Sequence, residues 1–262
     1  MTLSLLALLA AAGFVSGFVD AIAGGGGLIT LPALALAGLD PVAAVATNKL
    51  GAVFGSGSST LAFHRAGKID ARTMAAPAFA ALVGSAFGAL ALPYAPRQAL
   101  VDALPFVLIA VALYFAFAPP LDESLRRARI GPRLYALTLA PAIGFYDGVF
   151  GPGAGSFYMI ALLTLAGCGL IAAMAGARIA NFGSNLGSLA VYAFGGHILV
   201  APGLAVGLGA FLGARLGAGS ALKAGARLVR PLIVVVSVAM ALKLASAPGA
   251  PLRAWLSMLF AG

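Results

Sequence analysis

Four ionisable residues lie deep inside apolar stretches of the sequence: Asp20, Lys49, Asp147 and Arg178. A charge at the centre of a membrane-spanning helix costs about 2.5–3.5 kcal/mol on insertion scales. Here two acids balance two bases. One reading is structural, with Asp20 paired to Lys49 and Asp147 to Arg178, or the crossed pairs, orienting the helices. The other is chemical: the cations hold an anion at membrane depth, and the carboxylates orient those cations or carry protons. The residue types leave both readings open.

Their neighbours are polar as well. Thr47 and Asn48 adjoin Lys49, and Asn181 and Asn185 follow Arg178 by one turn and two on roughly one helix face. These amides and hydroxyls suit oxyanions, and they also suit helix–helix contacts. Ser56, Ser58, Ser59 and Thr60 read as such helix glue. Tyr146 is a gate, a hydrogen-bond donor or a packing residue.

Each aspartate precedes a glycine cluster: GFVDAIAGGGG from Gly17 to Gly27 and GFYDGVFGPGAG from Gly144 to Gly155. Such clusters interrupt helices. A helix that restarts after a break presents unpaired N–H groups and the positive end of its dipole to an anion. Gly25, Gly26, Gly27, Gly153, Gly155 and Ser156 are the candidates for that role. Gly84, Gly88, Gly213 and Gly217 read instead as close-packing positions.

The elements that position these residues follow from composition. Of 262 residues, 62% are hydrophobic and 9% charged, against about a quarter charged in soluble domains, and mean hydropathy is +1.06. The apolar runs are continuous, which selects an all-α polytopic membrane protein over a β-barrel. Long apolar segments fall near 3–23, 42–63, 74–93, 100–118, 134–150, 170–194, 198–214 and 228–246, each near the ~20 residues of a span. Two shorter ones, near 28–38 and 156–167, follow the glycine breaks. The start, MTLSLLALLAAAGF, has no positive first region and no clear cleavage site, so it reads as a retained span. Trp255 marks a tail that lies at the interface. The net charge of +9 sits in clusters between spans, as in Arg126, Arg127, Arg129 and Arg133. That is the positive-inside pattern, and no nucleic-acid partner is expected.

The chain repeats itself. Asp147 follows Asp20 by 127 positions, and Arg178 follows Lys49 by 129. Gly84 and Gly88 recur as Gly213 and Gly217. The expected organisation is a first repeat over 1–119, a basic linker over 120–133, a second repeat over 134–248 and a tail over 249–262. In the first repeat the basic loop holds Arg65, Lys68 and Arg72. In the second it comes one helix later, with Lys223, Arg227 and Arg230. This switch is expected of inverted repeats with five segments each and both termini outside. Two parallel halves of four spans, with re-entrant short segments, are the rival.

Familiar catalytic constellations are missing from the sequence. GGGGLITL lacks the Lys-Ser/Thr ending of a P-loop, His64 and His197 have no metal-ligand spacing, and no Ser-His-Asp set suggests itself. Cys168 is alone and reads as packing. No enzyme activity, cofactor or metal is expected.

These motifs resemble the TauE/SafE family, also called the toluene-sulfonate uptake permease family. The resemblance is carried by GFVDAIAGGGGLITLPAL, LDPVAAVATNKLGA and GFYDGVFGPGAGSFY, and covers nearly the whole chain. It implies a secondary transporter in the bacterial inner membrane that moves a small sulfur-containing anion such as sulfite, sulfoacetate or another organosulfonate. It implies no catalytic residues. The expected partners are that anion and the lipid bilayer, with a homo-oligomer possible. A cation/proton antiporter worked by the aspartates and a non-transporting assembly subunit are the alternatives.

Overall fold

The computed structural model describes residues 1–94, 127–225 and six positions between 228 and 238. Among the described residues the chain is helical, without strands. The first half contains α1 (Leu3–Ala23), α2 (Gly27–Leu36), α3 (Pro41–Arg65) and α4 (Ala71–Ala91), the last continued by a 3-10 turn, Leu92–Tyr94. The second contains α5 (Pro132–Leu137), α6 (Leu139–Val149), α7 (Ala154–Thr164), α8 (Leu170–Phe194) and α9 (Val200–Ala224).

Local chemistry sets these boundaries. Asp40 caps α3 by accepting from the Val42 and Ala43 N–H groups, and Pro41 occupies its first turn. Asp70 caps α4 in the same way through Arg72 and Thr73. Gly24 ends α1 at φ +84, with its N–H on the Asp20 carbonyl. The short segments expected after the breaks are present as α2 and α7. The single span expected over 134–150 is instead two helices, α5 and α6, divided at Thr138. Pro141 explains the division: it has no N–H for the Leu137 carbonyl, and its ring crowds that carbonyl.

Among the described residues, three helical stretches are long and apolar enough to cross a membrane by length and composition: Leu3–Ala23, Arg72–Tyr94 and Val200–Ala224. The expected spans 42–63 and 170–194 are the 25-residue helices α3 and α8. They bury Thr47, Asn48, Lys49, Arg178, Asn181 and Asn185, and this polar content lowers their hydropathy. On the outside, Leu204, Leu208, Leu212 and Leu216 form an exposed apolar stripe along α9. The segment expected at 100–118 lies outside the described residues, as do most of the one at 228–246, half of the linker 120–133, Arg126, Arg227, Arg230, and the tail with Trp255.

Among the described residues, the last long helix of each half packs against the first of the other. Gly13 meets Val206 and Gly17 meets Ala210, so α1 and α9 run in the same direction. Gly84 meets Pro141 and Gly88 meets Phe145, so α4 and α6 also run together. α3 runs with α9 (Gly51 on Val206, Gly55 on Ala210), and α8 runs with α4 (Gly183 on Ala78, Gly187 on Leu82). Between these two groups the sense reverses. Thr47 of α3 bonds the Leu199 N–H beyond the end of α8, whereas Gly57 lies on the Phe182 ring. Glycine is required at the crossings. A Cβ on Gly213 would lie 1.9 Å from the Phe14 carbonyl oxygen, and one on Gly84 2.1 Å from that of Pro141.

Candidate functional site

Both breaks lie at the centre of the molecule, back to back. The Ser156 hydroxyl, in the first turn of α7, donates to the Ala23 carbonyl at the end of α1. A Cβ on Gly155 would lie 2.8 Å from the Gly24 Cα, and one on Gly24 2.2 Å from the Ser156 nitrogen. Gly24, Gly151 and Gly153 have φ of +84, +100 and +82, a region that only glycine enters readily.

The four charges form the crossed pairs, one half to the other. Lys49 Nζ donates to Asp147 Oδ1 at 2.7 Å. Arg178 Nη1 donates to Asp20 Oδ2 at 3.0 Å and also to the Asp20 backbone carbonyl. The Lys49, Arg178 and Asp147 side chains are at most 3% exposed, and that of Asp20 is 17% exposed. Asp20 Oδ1 also accepts from the Gly26 N–H at 3.0 Å, so this carboxylate tethers the start of α2 to the end of α1. Asp147 Oδ2 accepts from the Ser184 hydroxyl. Among the described residues, the Arg178 Nε and Nη2 atoms are buried without a hydrogen-bond partner.

Beside the breaks is a small open cavity of about 40 Å³. It gathers most of the residues singled out from sequence: Asp20, Gly26, Gly27, Asn48, Lys49, Asp147, Gly153, Gly155, Asn181 and Asn185. Four others do not line it. Arg178 lies behind Gly155 and Gly24, with its Nη2 where a Cβ on Gly155 would fall. Thr47 is spent on the Leu199 N–H at the start of α9. Ser156 holds the end of α1, and Gly25 is not among the lining residues. Tyr146 donates to the Pro152 carbonyl at 2.7 Å and packs edge-on against Phe157, so it braces the second break.

Ser16, Thr30, Ser184 and Gly151 belong to the site and were not singled out by sequence. Ser16 donates to the Gly26 carbonyl at 2.8 Å. Thr30 donates to the Asn48 side-chain oxygen. A signal was present: Ser16 lies four residues before Asp20, Thr30 four after Gly26 and Ser184 three after Asn181, all one turn away. The serines assigned to helix glue divide. Ser58 donates across to the Phe211 carbonyl, whereas Ser56 and Ser59 bond carbonyls of their own helix. Among the described residues no cluster of three metal-ligating side chains occurs.

The arrangement is a polar cavity at the meeting of two broken helices, with one ammonium, two carboxylates and three amides in its wall, and its charges balance once Arg178 behind the wall is counted. Such a cavity can bind a small polar ion.

Comparison with known proteins gives the family. The family described as "Sulfite exporter TauE/SafE" matches residues 9–244. A probable membrane transporter protein, ORF9, from a Sinorhizobium species is 47% identical over 96% of this chain and 97% of its own length. A probable membrane transporter protein of Haemophilus influenzae is 42% identical over 92% of this chain and 95% of its own. The probable membrane transporter protein YfcA of Escherichia coli K12 is 42% identical over 97% and 95%. No solved structure gives a significant match. The chain belongs to the TauE/SafE family of membrane transporters.

Proposed function

We propose that this protein is a secondary transporter of a small anion, a sulfur-containing oxyanion by kinship with the sulfite exporter family, in the bacterial inner membrane. The observation that carries the proposal is the cavity wall. It combines Lys49 with Asn48, Asn181 and Asn185 where the two breaks meet. Interrupted helices at corresponding positions of two repeats are the usual signature of a transporter's central site. Lys49 and the amides contact the anion, assisted by the backbone at Gly26, Gly27, Gly153 and Gly155. Arg178 acts from behind by holding the end of α1.

Alternating access follows if the repeats, 1–119 and 134–248, are inverted and rock about this site. Helix directions support the inversion: α1, α3 and α9 run one way, and α4, α6 and α8 the other. Charge supports it as well. With these directions Arg65, Lys68, Arg72, Arg129, Arg133 and Lys223 all fall at one end of the molecule, the cytoplasmic end by the positive-inside rule. A cation antiporter fits less well, because each aspartate already has a cationic partner.

A thermal-shift screen of purified protein with sulfite, thiosulfate, sulfoacetate, taurine and simple carboxylates identifies the anion, which should stabilise the fold. Flux of that anion in proteoliposomes should fall at least tenfold in Lys49→Gln. Unchanged flux would remove Lys49 from the site.

A further inference from the structure

We infer that Asp147 carries a proton during transport while Asp20 remains a fixed counter-charge, so that the anion moves together with a proton. This rests on the anion-transport reading above. The two carboxylates differ in what surrounds them. Asp20 accepts from the Gly26 N–H at one oxygen and from Arg178 Nη1 at the other. Both partners donate only, and a guanidinium does not give up its proton in proteins. A proton placed on Asp20 would therefore confront a donor at either oxygen.

Asp147 has reversible company. Its Oδ2 meets the Ser184 hydroxyl, which both donates and accepts. Ser184 Oγ also lies 3.3 Å from the Asn181 carbonyl oxygen. When Asp147 is ionised, Ser184 donates to it. When Asp147 is protonated, its O–H donates to Ser184, which turns its own hydrogen to the Asn181 carbonyl. Neither state strands a buried polar group.

Protonation also releases the cation. Lys49 Nζ is held by Asp147 Oδ1 at 2.7 Å, and as long as that carboxylate is charged the ammonium is neutralised. A buried ion added to a balanced site carries a large desolvation penalty. A proton on Asp147 frees Lys49 to pair with the anion and keeps the net charge of the site constant. A univalent anion then travels with one proton, and both leave when the Lys49–Asp147 pair re-forms.

Among the described residues, the titratable groups around Asp147 are few. α3 contributes Lys49. α7 contributes Tyr158, hydrogen-bonded to the Ala140 carbonyl. α8 contributes Tyr192, bonded to the Gly148 carbonyl. α6 itself contributes Tyr146, bonded to Pro152. α4 faces this turn with Ser85 and Ala89. The other carboxylate of the cavity, Asp20, is held by Arg178.

The full chain in proteoliposomes loaded with a pH-reporting dye tests the inference. The probes are methanesulfonate and thiosulfate, strong-acid anions that do not themselves carry protons near neutral pH. The wild type should acidify the lumen as either anion enters, by about one proton per methanesulfonate. Anion flux without proton movement would overturn the coupling but leave the transport reading intact. No flux of either anion would remove the transport reading and the coupling with it. Infrared difference spectra with and without methanesulfonate then assign the proton. A carboxylic-acid carbonyl band should appear in wild type, vanish in Asp147→Asn and shift in Ser184→Ala. A band that persists in Asp147→Asn, or keeps its frequency in Ser184→Ala, would overturn the assignment to Asp147.

Discussion

At the scale of single residues, the fold answers a question the sequence leaves open. Asp20 and Lys49 are in one half, and a chain reading locally would pair them. The observed pairs are Lys49 with Asp147 and Arg178 with Asp20. The reason is spatial: each break carries its aspartate towards the polar helix of the opposite half. The pairs are buried, so removing one partner is costly. Lys49→Ala should destabilise the protein by about 3–5 kcal/mol, because it leaves an uncompensated carboxylate. The double variant Lys49→Ala/Asp147→Ala should recover much of that loss and still fail to transport. Denaturation in detergent micelles, run as a double-mutant cycle, measures the coupling. Additive losses in the two single variants would show that the pair contributes nothing to the fold.

Helices are where glycine matters most. Gly84, Gly88, Gly213 and Gly217 read from sequence as packing positions, and they lie at the crossings of α4 with α6 and α9 with α1. Their helical partners were not legible, because a glycine specifies close approach without specifying to what. Gly213→Leu should force α1 from α9 and cost at least about 1–3 kcal/mol, as overpacking does. Gly219 on the same helix has nothing within 4 Å of a built Cβ, so Gly219→Ala should be neutral or stabilising by up to about 1 kcal/mol. The fraction of each variant that elutes as monodisperse protein after heating separates the two. Equal tolerance at both positions would contradict the crossing. The division of 134–150 into α5 and α6 was missed, although its cause, Pro141, is in the sequence. Hydropathy sums over that proline and cannot see a lost hydrogen bond.

For the whole molecule, the prediction concerns sidedness. In a Cys168→Ser background, Lys68→Cys and Lys223→Cys should be labelled by an impermeant maleimide from one side of the membrane, and His197→Cys from the other. Parallel halves with re-entrant short segments would place Lys68 with His197 and opposite Lys223. The labelling pattern in right-side-out and inverted vesicles therefore decides between the two topologies. The directions of α1, α3 and α9 against α4, α6 and α8 motivate the first outcome.

Sequence by itself determined the medium, the helical class, the two breaks and the family. These are properties of composition and local spacing: apolar runs must cross lipid as helices, and a glycine cluster interrupts a helix wherever it occurs. Only the tertiary structure decided which charges pair, which candidates face the cavity and which brace it from behind. Thr47 and Ser156 carry the right chemistry for a site but are spent on the Leu199 N–H and the Ala23 carbonyl, and Arg178 holds Asp20 from behind the wall. Such assignments depend on contacts between residues 98 or more positions apart, and one-dimensional periodicity contains no distances across the fold.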